Sequence, residues 1–156
     1  MKKKICVVGD FAVGKTSLTQ KFVNNVFSEK YLTTVGVKID TMELGDQKLV
    51  IWDLAGRDSL SPINLSYLVG AAGIIFVADG TRPSSQQALI EIHKSVYDKL
   101  GAIPYVCAVN KHDLAEWQIE DSLADMCKQA GITVTPTSAK TGEGVESLFK
   151  TVAQAS

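Results

Sequence analysis

Apolar and polar positions along this chain follow two periods, and the period changes repeatedly. "KKICVVG" is an apolar run closed by glycine, which predicts a strand. "GKTSLTQKFVNN" brings Leu18, Phe22 and Val23 together at helical spacing. "VGVKIDTMEL" and "QKLVIWDL" flank a Gly45-Asp46 turn signal and read as an antiparallel hairpin. "GIIFVADG" is short, apolar and bounded by glycines, as suits a fully buried parallel strand. The clearest helix is "SSQQALIEIHKSVYDKLG". Serines open it, Leu89, Ile92, Val96 and Leu100 form one stripe, and Gly101 stops it. "IPYVCAVN" predicts another buried strand and "ADMCKQAG" the end of a helix. "ITVTPTSA" predicts a further strand, and "GVESLFKTVAQ" a last helix with Val145, Leu148, Phe149 and Val152 on one side.

Strands that alternate with helices imply a three-layer α/β fold. The expectation is a mostly parallel six-stranded sheet with one antiparallel edge strand and helices on both faces. One domain over residues 1–156 accommodates this, without repeat or linker.

Composition changes the picture little. Apolar residues make up 46% and charged residues 21%, ordinary for a globular chain. The net charge of −1 gives no electrostatic case for nucleic acid. The opening lysines read as the solvated start of a strand. Cys6, Cys107 and Cys127 are odd in number and lack metal-ligand spacing, so they read as small buried hydrophobes in a reducing compartment. No apolar run approaches the ~20 residues of a membrane span. Lys2 excludes myristoylation, and the final "TVAQAS" has no cysteine to prenylate. The chain is expected to be cytoplasmic, unanchored and monomeric.

Chemistry enters at "GDFAVGKT". Residues Gly9, Asp10, Phe11, Ala12, Val13, Gly14, Lys15 and Thr16 satisfy G-x-x-x-x-G-K-[ST] between a strand and a helix that Ser17 continues. Backbone N–H groups at such a turn converge on an anion, and the helix dipole adds to the field. Lys15 can reach terminal phosphates, and the Thr16 hydroxyl can ligate Mg²⁺. The cradle implies a nucleoside triphosphate and leaves the base open.

The base is read elsewhere. "NKHD", Asn110 to Asp113, ends a buried strand, where a parallel sheet binds its ligands. A carboxylate at Asp113 can accept from guanine's ring N–H and from its exocyclic amine. Adenine offers neither donor there, and sites built on hydrogen bonds discriminate by ~10⁴-fold or more. "TSAK" at another strand end adds Ser138, Ala139 and Lys140. The Ala139 N–H can meet the base carbonyl, and the Lys111 stem can pack on the ring face. His112 and His93 are read as solvated bystanders.

Together "GDFAVGKT", "TVG", "WDLAG", "NKHD" and "TSAK" make the chain resemble the Ras-like small GTPases, and the Rab type most of all. The likeness covers nearly the whole length. It implies a P-loop NTPase fold of the Ras-like kind and a signalling switch that binds GTP or GDP with Mg²⁺ and hydrolyses GTP. It also implies roles. Phe27 would lie edge-on to the guanine, and Tyr31 would cover the phosphates. Thr34, which directly precedes an apolar–Gly pair, would close on Mg²⁺ and the γ-phosphate. Asp53 would hold Mg²⁺, commonly through a water, and the Gly56 N–H would sense the γ-phosphate. Ile39, Trp52 and Tyr67 would form an exposed apolar triad for effectors, though relatives usually carry Phe at the first position. Exchange factors and activating proteins would also meet the switch segments.

Arg57 and Phe11 also depart from that pattern, as does Asp58, which stands where Glu is usual. Arg57 follows "DLAG", where the family places a water-orienting glutamine. Guanidinium carries only donors, so it cannot do the glutamine's work. Hydrolysis is then slow, or Arg57 acts as an arginine finger in cis, or another group positions the water. Phe11 stands where relatives carry a small residue; its ring either lies close to the γ-phosphate, where it would obstruct an arginine entering from a partner, or folds away onto a neighbouring loop. The interswitch hairpin around "ELGDQK" is also shorter than usual. Two other readings are a scaffold locked on its nucleotide and a nucleoside monophosphate kinase. The kinase needs an arginine-rich lid, and the chain's only arginines are Arg57 and Arg82.

Overall fold

The computed structural model describes residues 2–10, 13–23, 28–32, 37–54 and 65–155, with residues 28–32 and 37 described by backbone alone. The expectations for Phe11, Ala12, Phe27, Thr34, Gly56 and Arg57 lie outside the described residues, as does the side chain of Tyr31.

The strands are β1 (Lys2–Gly9), β2 (Ser28–Leu32), β3 (Val37–Leu44), β4 (Gln47–Leu54), β5 (Gly73–Asp79), β6 (Tyr105–Asn110) and β7 (Thr133–Pro136). The helices are α1 (Lys15–Val23), α2 (Pro83–Leu100), α3 (Asp121–Ala130) and α4 (Val145–Ala155). All strands join one sheet in the order β2-β3-β4-β1-β5-β6-β7. The three-layer α/β class is as expected, but the sheet holds seven strands rather than six. The additional strand, β2, pairs antiparallel with β3 and takes the edge that β3 is expected to hold. Its sequence, "SEKYL", lacks the apolar alternation that marks a half-buried strand, so a main-chain ladder places it where side-chain pattern gives no signal.

β1 lies at the centre, parallel to β4 on one side and to β5 on the other. From β1 the chain crosses to the far edge at β2, works back through β3 to β4 beside β1, and then builds β5–β7 on the other side. That reversal makes the C-terminal end of β1 the switch point where open α/β sheets bind ligands. α1 and α4 cover one face, with Phe22 and Phe149 stacked at 4.2 Å between them. On the opposite face, α2 and α3 bury Leu89, Ile92, Val96, Leu123 and Cys127 against Cys6, Phe76 and Val109. Cys6, Cys107 and Cys127 are free and buried, and burial pushes the Cys6 thiol up to about 12. Among the described residues no helix is long and apolar enough to cross a membrane.

The opening lysines are not simply solvated. Lys3 is buried, and its ammonium donates to the Ala153 carbonyl at 2.7 Å, tying β1 to the end of α4. The Lys4 ammonium sits 3.9 Å from the centre of the Trp52 ring and donates to the Val69 carbonyl at 2.9 Å.

His93 also departs from the bystander reading. It is half-buried, with its ring edge-on to Phe76 at 5.6 Å and to Tyr105 at 5.9 Å, and with Tyr97 at 6.0 Å. Its Nε2 is buried and has no hydrogen-bond partner among the described residues. Burial lowers its pKa below the ordinary 6.5. Between those two values the unfolded chain binds a proton that the folded chain refuses, so stability falls as pH falls through that window. The melting temperature should therefore drop as pH falls through the ordinary histidine value of 6.5, and less steeply in His93→Phe, which keeps the ring packing and removes the proton. Parallel melting curves for the two proteins would refute this assignment.

Candidate functional site

Four segments leave the sheet at one edge: the turn after β1, the end of β5, "NKHD" after β6 and "TSAK" after β7. Parallel strands in register deliver them together. Asp79 and Asn110 are register partners at the ends of β5 and β6.

Lys15 is buried, and its ammonium donates to the carbonyls of Gly9 at 3.1 Å and Asp10 at 2.9 Å. Burial lowers its pKa, while the charges of Asp53 and Asp10 raise it. The ammonium is thus held across the loop by main-chain oxygens that leave its charge uncancelled. The Thr16 hydroxyl donates to Asp53 Oδ2 at 2.6 Å, joining the start of α1 to the end of β4. Asp53 is fully buried, and among the described residues its Oδ1 has no hydrogen-bond partner. Burial raises the Asp53 pKa, and the Thr16 hydroxyl, Lys15 and Lys38 pull it back. A buried carboxylate with one oxygen unengaged, beside a threonine hydroxyl, is a donor set that suits a hard cation such as Mg²⁺.

Asn110 is the hub of the other half. Its amide Nδ2 donates to the Val13 carbonyl at 3.1 Å, and its Oδ1 accepts from the Thr137 hydroxyl at 3.2 Å and the Ala139 N–H at 3.3 Å. One buried side chain therefore joins the phosphate loop, the end of β6 and "TSAK". The Ala139 N–H, expected to face a base carbonyl, makes this long internal contact.

Ser138 Oγ donates to Asp113 Oδ1 at 2.7 Å and accepts from the Thr141 N–H at 3.2 Å. The Ser138 bond chiefly holds the exposed Asp113 carboxyl below its ordinary value, so at neutral pH it is an acceptor only. Asp113 lines a cleft of about 470 Å³ with Gly14, Ser17, Asn110, Lys111, Leu114, Ala139 and Lys140. The cleft falls within the size range of small-ligand pockets. The expected base-reading residues therefore meet in one cavity, with the phosphate loop at one end.

Gly14 makes this junction possible. Its φ is +99°, and a Cβ there would lie 2.2 Å from Asn110 Nδ2. Gly14→Ala should pull Asn110 off its three bonds and impose backbone strain of ~1–3 kcal/mol. Calorimetry should record a melting temperature lower by several degrees, together with weaker nucleotide binding. A variant that melts and binds like the parent would mean that the junction yields freely.

The residues expected to meet effectors are placed differently from expectation. Ile39 and Trp52 are cross-strand partners, and the Trp52 and Tyr67 rings lie 6.1 Å apart. The three do cluster, but each is half-buried rather than exposed, because they pack against the apolar core on that face of the sheet.

Several neighbours carry no motif signal. His112 contacts the Glu143 carboxylate at 2.8 Å and packs edge-on to Trp117 at 4.4 Å, so it is no bystander. The Trp117 indole N–H donates to the Val109 carbonyl at 3.0 Å. Its ring covers Gly80 so closely that a Cβ there would lie 2.1 Å from it. Arg82 lies 3.4 Å from the Asp10 carboxylate, beside the phosphate loop. Asp79, buried under "NKHD", reaches the Lys111 ammonium. An acidic residue closing an apolar strand is the one hint of it in the sequence.

A family model described as the Ras family matches residues 4–156. The chain is 38% identical to Ras-related protein Rab-1 of Theileria parva, over 97% of this chain and 73% of that protein. It is 37% identical to Ras-related protein Rab-1 of Theileria annulata over the same shares.

Proposed function

The chain belongs to the Ras family, of the Rab type, and is a GTP-binding switch and GTPase; from that premise we propose that it hydrolyses GTP slowly, so that its triphosphate state persists. Arg57 carries this reading. It stands directly after "DLAG", where an acceptor is needed to orient the attacking water, and guanidinium accepts nothing. The reaction would be in-line attack of water on the γ-phosphoryl group. Lys15 and the cradle amides would stabilise the charge that spreads over its oxygens. Without an oriented water those electrostatic parts still act, so hydrolysis is slowed rather than abolished.

Proteins of this family generally bind their nucleotide with Mg²⁺. Thr16 and Asp53 would hold the ion, and Thr34 would join them in the triphosphate state. The ion supplies positive charge against the β- and γ-phosphate oxygens. Asp113 would read guanine, with Lys111 and Ala139 beside it. Gly9 to Ser17 would hold the phosphates, with Phe27, Tyr31 and Gly56 completing the enclosure. What supports the guanine reading is the shared cleft of Asp113, Lys111 and Ala139 at the end of the phosphate loop.

Ras and Rab proteins generally act through effectors and exchange factors. The cluster of Ile39, Trp52 and Tyr67 is the surface proposed for them here. Phe11, within "GDFAVGKT" where relatives carry a small residue, argues against an activating protein that inserts an arginine.

The test is the nucleotide content of the purified protein after loading with GTP, followed over hours. GTP should outlast the lifetime set by the ~10⁻⁴ per second intrinsic rate of Ras itself. Complete conversion to GDP within minutes would remove the slow-hydrolysis reading. A triphosphate that never turns over would favour the locked scaffold instead.

A further inference from the structure

Lys111 is the only non-glycine residue with positive φ among the described residues, at +71°. A side chain in that region is held there by its surroundings rather than by its own preference. The surroundings are specific. The Lys111 ammonium lies 2.7 Å from Oδ2 of Asp79, whose side chain is fully buried. Oδ1 of the same carboxylate accepts from the Thr81 N–H at 2.8 Å and the Thr81 hydroxyl at 2.6 Å. The strands also lock the two residues together. Asp79 and Asn110 are register partners, and the Gly80 N–H donates to the Asn110 carbonyl at 3.0 Å. The end of β5 is thus fixed against the residue that precedes Lys111.

From this arrangement we infer that Asp79 is a positioning residue for base recognition. It pins the Lys111 ammonium below the cleft and so lays the lysine stem along the cleft wall. The inference rests on the guanine-nucleotide reading above and names a residue that reading does not include. A free lysine samples many rotamers, and ordering it on binding costs affinity. A buried carboxylate that is itself held by two Thr81 bonds removes that cost before any ligand arrives. The pair is also neutral, so it adds no net charge beside the phosphate loop. Burial raises the Asp79 pKa, but the Lys111 ammonium and the Thr81 bonds more than offset this and hold it below the ordinary value, so the anion is present at neutral pH.

The test follows release of GDP carrying a fluorescent N-methylanthraniloyl group, with excess unlabelled GDP and Mg²⁺. Asp79→Asn should speed release about ten-fold, while circular dichroism and melting report a folded chain. In a Lys111→Met background the same substitution should change release by less than about two-fold, because the lysine through which Asp79 acts is gone. A purely structural acid would cost the same in both backgrounds, and that result would overturn the inference. So would unchanged release in Asp79→Asn alone. If the single acid variant does not fold, Thr81→Val, which removes the hydroxyl bond holding Asp79 Oδ1 and keeps the charge pair, should speed release in the parent and not in Lys111→Met, and equal effects in both would overturn the inference. A parent chain that does not retain GDP overturns the guanine reading and this inference together. Retention with unchanged release overturns only this inference.

Discussion

Replacing Asp113 with Asn should reverse the preference for the base. The carboxylate at this position has one oxygen in a bond from the Ser138 hydroxyl at 2.7 Å, and it faces the cleft as a pure acceptor. Guanine presents two donors to such a group, its ring N–H and its amine. An asparagine amide offers one acceptor and one donor pair, so its NH₂ would point at the guanine amine, and two donors would meet. Buried donors without acceptors are the costly case, and sites of this kind discriminate by ~10⁴-fold. Guanosine diphosphate should therefore bind Asp113→Asn about 10⁴-fold more weakly. Xanthine carries a carbonyl where guanine has the amine, and it can accept from that NH₂. Xanthosine diphosphate should then bind the variant better than guanosine diphosphate does. Calorimetric titration of parent and variant with both ligands measures this directly. Equal guanine affinity in the two proteins would show that Asp113 does not read the base, and would remove the central element of the site.

Part of this site was legible before any coordinates because a few residue types at fixed places in strand–loop–helix units carry the chemistry. "GDFAVGKT" needs glycines, a lysine and a hydroxyl where a strand becomes a helix, and the apolar period locates both elements. "NKHD" and "TSAK" follow short apolar runs, and parallel strands must end at the same edge. The hidden part consists of contacts made by residues with no pattern of their own. Asp79 is a single acid at a strand end, and only the β5–β6 register reveals that it lies under Lys111. Trp117 looks like one apolar residue in a polar loop until its ring is seen against Gly80. β2 escapes because "SEKYL" is held by a ladder on one side and has no alternation to report. Lys3, Lys4 and His93 share another reason. Each is a residue type usually found at the surface, and each is engaged only because a neighbouring element happens to pass over it. Asn110 lies between these cases. Its motif marks it as part of the site, but its role as the bond between three loops is a property of the assembled edge.

Arg57→Gln should raise the rate of GTP hydrolysis. The three groups proposed to supply the electrostatic part are held by the fold: Lys15 across its loop, Thr16 on Asp53, and Asp53 with an oxygen that has no partner among the described residues. What the sequence lacks is an acceptor after "DLAG" that can orient water while it attacks. Restoring glutamine returns a carbonyl that accepts from the water and an amide that donates. Ras, with its glutamine, hydrolyses at ~10⁻⁴ per second without help, so the parent should be slower than this and the variant should approach it. A gain of about ten-fold corresponds to ~1.4 kcal/mol in the barrier, a modest amount for one well-placed hydrogen bond to a reacting group. Single-turnover hydrolysis of preloaded GTP, in the presence of Mg²⁺, separates this step from nucleotide exchange. Arg57→Ala then distinguishes the mechanisms. If the arginine is only a missing acceptor, Ala and Arg should hydrolyse at similar rates and Gln faster. If its cation stabilises the transferring phosphoryl group, Ala should be slower than the parent by a large factor, since arginine fingers contribute ~10³-fold or more. A parent rate already at or above that of Ras, with no gain from glutamine, would mean that another group positions the water, and the persistence of the triphosphate state would no longer follow from residue 57.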